Sequence, residues 1–191
     1  MIAAAVAGIA GQLNQSLRRT FKVGEDLVVV SNLTEPDGNL VAQVSNKLVL
    51  FLVNIEKDSL PYKPSALSHT GLGRAGVNHA PVHLNLLLMF AATFSGTNYP
   101  EALKFISHTI GFFQSRPVFD PQNTPDLDPR IDKLMLDIEN LSLSDLSNLW
   151  GILSGKYMPS VLYRMRMLAI DSGQLVGQAP LVSRPDAGVK P

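Results

Sequence analysis

Apolar side chains recur along this chain at two spacings, and the switch from one to the other marks out its elements. The stretch from Glu139 to Ile170, ENLSLSDLSNLWGILSGKYMPSVLYRMRMLAI, carries both in succession. Leu146, Leu149, Trp150 and Leu153 fall at i, i+3, i+4 and i+7, which is one face of a helix. Ser144 is placed to accept a hydrogen bond from a free N–H at the helix start, with Asp145 adding negative charge at the positive end of the dipole. Gly155 suits a left-handed terminal residue, and Pro159 forbids continuation. Beyond that stop the period falls to two. Val161, Tyr163, Met165, Met167 and Ala169 share one strand face, and Leu162, Arg164, Arg166, Leu168 and Ile170 share the other. The second face is apolar at its ends and basic in its middle, as for a strand turned partly to water or to a partner.

The rest of the chain follows the same logic. Ile2, Val6, Ile9, Leu13 and Leu17 predict a helix over about Ile2 to Arg19. Leu27 to Leu33 predicts a short strand that ends at the turn Pro36-Asp37-Gly38. In Lys47 to Lys57, Leu48, Leu50 and Leu52 oppose Val49, Phe51, Val53 and Ile55, so both faces are expected to be covered and the strand central. Asp58 to Pro81 has no period and predicts a long loop. Val82 to Phe94 alternates and predicts a strand, its Leu-rich second half being compatible with helix. Tyr99 to Ser115 predicts a helix with Leu103, Phe105, Ile106, Ile110 and Phe113 inward. Arg116 to Arg130 carries four prolines and predicts an ordered connection; Ile131 to Glu139 predicts a strand with Leu134, Leu136 and Ile138 inward. The fold class is therefore α+β, a single mixed or antiparallel sheet of about five strands with three flanking helices. Residues 1–170 read as one domain, and residues 171–191 as a Gly/Pro-rich arm or disordered tail.

Composition narrows the function classes. Sixteen basic residues balance sixteen acidic ones, so the long-range field used by nucleic-acid and anionic-membrane binders is missing. Cysteine is absent, which excludes disulfides, thiolate zinc sites and a cysteine nucleophile. With 46% hydrophobic and 17% charged residues, the chain leans towards assembly. Its apolar start lacks a preceding Lys or Arg and runs on into an amphipathic stripe, so an amphipathic helix is expected there rather than a signal peptide. No apolar run approaches the length of a membrane span.

Candidate chemistry is sparse. His69, His79, His83 and Asp120 are the residues a metal-dependent hydrolase would use, but Pro81 breaks the helical spacing between His79 and His83 and no HExxH is present. Gly71-Leu72-Gly73-Arg74-Ala75-Gly76 resembles a phosphate loop without a preceding strand, a following helix or a Walker lysine. Asp120, Asp126 and Asp128 lie among prolines that spoil calcium-loop geometry. No GxSxG elbow occurs. None of these patterns argues for an enzyme, a cofactor or a bound metal.

Six stretches, in order, resemble the tube-terminating cap proteins of extracellular contractile injection systems, such as the antifeeding prophage and the Photorhabdus virulence cassette. They are VVVSNL (Val28 to Leu33), NKLVLFLVNIEK (Asn46 to Lys57), PVHLNLLLMFAATF (Pro81 to Phe94), YPEALKFISHTIGFFQSRPVFDPQNTP (Tyr99 to Pro125), IENLSL (Ile138 to Leu143) and LSNLWGILSGKYMPSVLYRMRML (Leu146 to Leu168). The resemblance implies a tail-terminator role: a homo-oligomeric ring, expected to be a hexamer, that sits on the last layer of inner tube and sheath and stops their polymerisation. It implies partners in the inner tube protein, the sheath protein, through strand addition to an open sheet edge, and other copies of the chain, with no nucleic acid and no membrane. It also implies synthesis in the bacterial cytoplasm without a signal peptide, and a place in a particle released outside the cell. Interface candidates are Tyr163, Arg164 and Arg166 on the last strand, with Arg74 and His83. An adaptor acting through residues 58–81 and the tail is the remaining alternative.

Overall fold

The computed structural model describes residues 1–35, 37–58, 67–70, 74–78, 81–94, 96–153, 156–170 and 175–180, with backbone alone at 67–70, 74–78, 167 and 175–180. In chain order the elements are α1 (Ile2–Phe21), β1 (Val28–Val30), β2 (Leu48–Lys57), β3 (Leu67–Thr70), β4 (Arg74–Asn78), β5 (Val82–Ala92), α2 (Tyr99–Ser115), β6 (Val118–Phe119), β7 (Leu134–Glu139), α3 (Leu143–Ile152), β8 (Ser160–Ile170) and β9 (Leu175–Pro180). They fall into two compact units, Met1–Asp58 with Leu84–Leu168, and Ser59–His83 with Ala169–Pro191.

The larger unit is built on a six-stranded sheet of order β1-β2-β5-β8-β7-β6. β1 runs parallel to β2, while β2 with β5, β6 with β7, and β7 with β8 are antiparallel. The α+β class and the three helices are as the spacing of apolar residues predicts, with six strands here rather than five. The smaller unit holds a three-stranded antiparallel sheet of order β3-β4-β9. The expected long loop at 58–81 thus contains two strands, and the tail supplies a third that pairs with one of them. These segments are only four to six residues long, too short to show a period.

Each face of the large sheet has its own core because alternate residues point opposite ways. On one face, Leu48 and Leu50 of β2, Leu86, Leu88 and Phe90 of β5, and Val161, Tyr163 and Met165 of β8 pack with Ile9, Leu13 and Leu17 of α1 and Phe105 and Phe113 of α2. On the other, Val49, Phe51, Met89, Ala91 and Leu162 pack beneath Trp150 of α3, with Leu146, Leu149 and Leu153 partly buried around it. The double covering expected of β2 holds only for Leu48 to Phe51. From Leu52, where a register shift to Asn54 begins, the strand outruns its covers, leaving Leu52 and Ile55 exposed. Leu103 on α2 and Ile138 on β7, both expected inward, are likewise about half exposed: α2 buries Ala102, Phe105, Thr109 and Phe113 instead.

Two local readings need correction. α3 is capped by Ser142, not Ser144: Ser142 Oγ accepts the Asp145 N–H at 3.1 Å while its hydroxyl donates to Asp145 Oδ2 at 2.6 Å. This reciprocal box fixes the start of the helix one turn before Leu146. In β8, Leu168 joins the same core as Met165 instead of the Leu162 side, a step of three that strict alternation does not allow. Gly155, expected to end α3, and Pro36 of the first turn lie outside the described residues; Gly38, at φ 83, donates its N–H to Glu35 O at 2.9 Å as that turn requires.

Candidate functional site

β8 is an interior strand between β5 and β7, paired with β7 from Leu162 to Arg166. Its three candidate residues separate according to face. Tyr163 belongs to the core, 3% exposed, with its ring edge-on to Phe90 at 5.7 Å and tilted against Phe113 at 4.9 Å. It is closed to a partner, and burial pushes its phenol up to about 12.

Arg164 and Arg166 emerge on the opposite face, where they are matched from within the chain. Arg164 Nε donates to Glu139 Oε2 on β7 at 2.8 Å, and its Nη1 donates to Glu56 Oε2 on β2, beyond the intervening β5. Arg166 makes a looser ion pair with Asp137 at 3.4 Å. The register sets Arg164 opposite Asp137, so each arginine reaches the acid one step diagonally along β7, a distance within range of a long side chain. Two cations against three carboxylates make this face slightly acidic, not basic as β8 alone suggests. The acids escape a reading of β8 because they come from β2 and β7, and only the strand order brings them together. The Arg164 guanidinium holds the Glu139 carboxyl below its ordinary value.

Two outcomes follow. Arg164→Met is expected to cost about 1–2 kcal/mol, since it leaves Glu56 and Glu139 without their shared cation in a partly buried site; urea unfolding at pH 7 measures it. Stability should also fall at both ends of the pH range. Glu139 is depressed by folding, so its contribution is present above about pH 4.3, the unfolded value, and is lost as pH falls through the folded one. Tyr163 is raised, so stability falls as pH climbs from about 10, the unfolded value, through the folded one. Tyr163→Phe should flatten the alkaline limb and leave the acid limb unchanged in a pH series of urea midpoints.

The other candidate residues are dispersed. Arg74 lies in β4 opposite Thr70 and Pro180, and its side chain is outside the described residues. His83 is half-buried at the start of β5. Of the hydrolase set, His79 and the His69 side chain also lie outside the described residues, and Asp120 spends its carboxylate on the N–H groups of Gln122 and Asn123, both at 3.0 Å. Asp128 is tied to Arg130 at 2.6 Å and held well below the usual carboxylate range by it. Among the described residues no three His, Asp or Glu side chains converge as a metal site requires. No helix among them is long and apolar enough to cross a membrane.

What the surface does offer is shape. Leu143 and Ile152, at the two ends of α3, are 86% and 80% exposed, and Tyr157 beyond it is also exposed. On the α1 side of the sheet a groove of about 1250 Å³ runs between α1 and residues 124–130, floored by Ala4, Ala7, Gly8 and Gly11. Neither feature is announced by a motif. The one signal for the exposed residues in the sequence is Ile152, which falls off the stripe that runs through Leu146 and Trp150, whereas Leu143 continues that stripe past the start of its cover.

Comparison with known proteins gives a family and a fold. The family model described as the Pvc16 N-terminal domain matches residues 5–184. Among solved structures, the sheath/tube terminator of the extracellular contractile injection system PVC, in its extended state, superposes with a TM-score of 0.64 at 14% identity, over 96% of this chain and 62% of that one. The tube-terminating cap of the anti-feeding prophage superposes with a TM-score of 0.59 at 14% identity, over 91% of this chain and 58% of that one. This chain therefore spans about three fifths of each solved relative. No curated protein matches it in sequence. The resemblance read from the six stretches is borne out: the chain belongs to the Pvc16 N-terminal domain family.

Proposed function

We propose that this chain is a structural cap of a contractile injection particle, forming a ring at the end of the inner tube and sheath and stopping their growth. The observation that carries the reading is similarity over nearly the whole chain to a sheath/tube terminator. The chemistry fits. A cap works by shape complementarity to a polymer end and to its own copies, and this molecule combines neutral net charge with exposed apolar side chains such as Leu143, Ile152 and Tyr157. Inner tube protein, sheath protein and further copies of the chain are its partners, and a six-membered ring is the expected closure. It leaves the cell as part of the particle.

Removal of the gene from a particle-producing strain, followed by electron microscopy of the particles, tests the reading. Tubes of uncontrolled length or particles with frayed ends are the expected result. A population with normal length and intact ends would overturn it.

A further inference from the structure

β1 covers only the beginning of β2. Val28 to Val30 pair with Leu48 to Leu50, and the pairing closes with Ser31 N–H donating to Leu50 O at 3.3 Å. β2 is ten residues long, so Phe51 to Lys57 run on for about 20 Å, and among the described residues no strand lies beside them on that side. A row of backbone N–H and C=O groups without a neighbouring strand is a template for an extended chain, which supplies matching groups at the same repeat.

Both faces of this stretch hold apolar surface for such a chain. On the α3 side a cleft of about 460 Å³ lies between Leu33, Glu35 and Phe51 and the end of α3 at Ile152 and Leu153, with Ile152 itself almost fully exposed. On the α1 side stand Leu52 and Ile55, set by the register opposite Leu88 and Leu86 of that core and both exposed. An added strand sends alternate side chains to the two faces, so β-branched residues suit it at successive positions. Charge then sets its ends. Glu35 is the one charged residue among the described ones that line the cleft, and Lys57 is exposed at the far end of the ladder.

From these features we propose that the open edge of β2 takes an extended, β-branched segment of another protein, with a basic residue beside Glu35 and an acidic one beside Lys57. Two copies joined edge to edge fit less well. The antiparallel register that sets Leu52 against the partner's Ile55 brings Lys57 to the partner's Leu50, a place Val30 already holds. The inference rests on the cap reading above for its partner, a component of the particle, and names the surface that would hold it.

Fluorescence anisotropy of the full chain with labelled peptides is the test. The probes are Arg-Val-Thr-Val-Thr-Val-Glu and its reversed sequence, one for each direction along β2. One of them should bind, and should slow amide exchange between Phe51 and Lys57 while leaving β7 unchanged. Ile55→Lys and Glu35→Arg should each weaken that binding at least about tenfold, with the far-ultraviolet dichroism unchanged because both side chains are exposed. Glu35→Arg should in turn prefer the peptide in which Glu replaces the Arg. Failure of both peptides to bind, or binding that the two variants leave unchanged, would overturn the edge as a docking site, whatever gene deletion says of the cap. Wild-type chain that dimerises in sedimentation velocity, with Ile55→Lys monomeric, would give the edge to a second copy and overturn the proposal too. Normal particles after gene deletion, with peptide binding intact, would sink the cap reading and leave the edge standing.

Discussion

Phe90→Ala is expected to destabilise the chain by about 3–5 kcal/mol, the largest loss expected from truncating one side chain of this core. Phe90 is fully buried near the C-terminal end of β5, opposite Leu50 of β2. Its ring lies 5.3 Å from Phe113 and 5.7 Å from Tyr163, so it joins α2 to two strands of the sheet. Phe112 and Phe119 extend the same cluster around Phe113. Truncation removes apolar contact and leaves a void that the surrounding helices and strands are too well tied to collapse into. A drop in the urea midpoint with little change in slope is the expected signature, and Phe90→Leu should recover part of it. A loss below about 1 kcal/mol would mean that the cluster is loosely packed.

Asn14→Ala should be the second largest, at about 2–3 kcal/mol, although it removes little apolar surface. Asn14 reaches from α1 to the edge of the sheet. Its Oδ1 accepts the N–H groups of Leu27 and Val28, both at 2.8 Å, and its Nδ2 donates to Val28 O at 2.9 Å. One side chain thereby satisfies three backbone groups at the start of β1, which pairs elsewhere only with β2. Alanine leaves all three without partners in a partly buried place, and leaves a three-residue strand to be held by one neighbour. Amide exchange at Leu27 and Val28 should accelerate far more than exchange in the middle of β2. Unchanged protection at those two amides would show that β1 is held without Asn14.

Elements that bury one face over several turns are legible in the sequence, and those defined by distant partners are not. α1 matches its apolar stripe closely, because six buried positions from Ala5 to Leu17 repeat the same geometric signal, whereas α2 has the expected bounds but a buried face turned towards Ala102 and Thr109, sharing only Phe105 and Phe113 with the expected set as fully buried positions. The cap of α3 is ambiguous in the sequence because SLSD offers two serines at suitable positions. The choice of Ser142 depends on which one Asp145 can bond back to. β4 and β9 pair across about half the length of the chain, through stretches with no apolar alternation to announce them. The candidate surface divides in the same way. Placing Arg164 and Arg166 on one face of a strand follows from period two, whereas their neutralisation by Glu56, Glu139 and Asp137 follows from strand order. Tyr163 suggests itself as a partner contact because an isolated strand gives no sign of which face lies beneath two helices.

The large sheet is bounded by β1, three residues long, and β6, two residues long. β1 pairs with β2 only from Leu48 to Leu50, so among the described residues Phe51 to Lys57 has no strand beside it on that side, and Leu52 and Ile55 stand exposed there. That length of open ladder is enough to template an incoming chain, so concentrated stocks should aggregate first through this stretch, and a charge introduced at Ile55 should delay it.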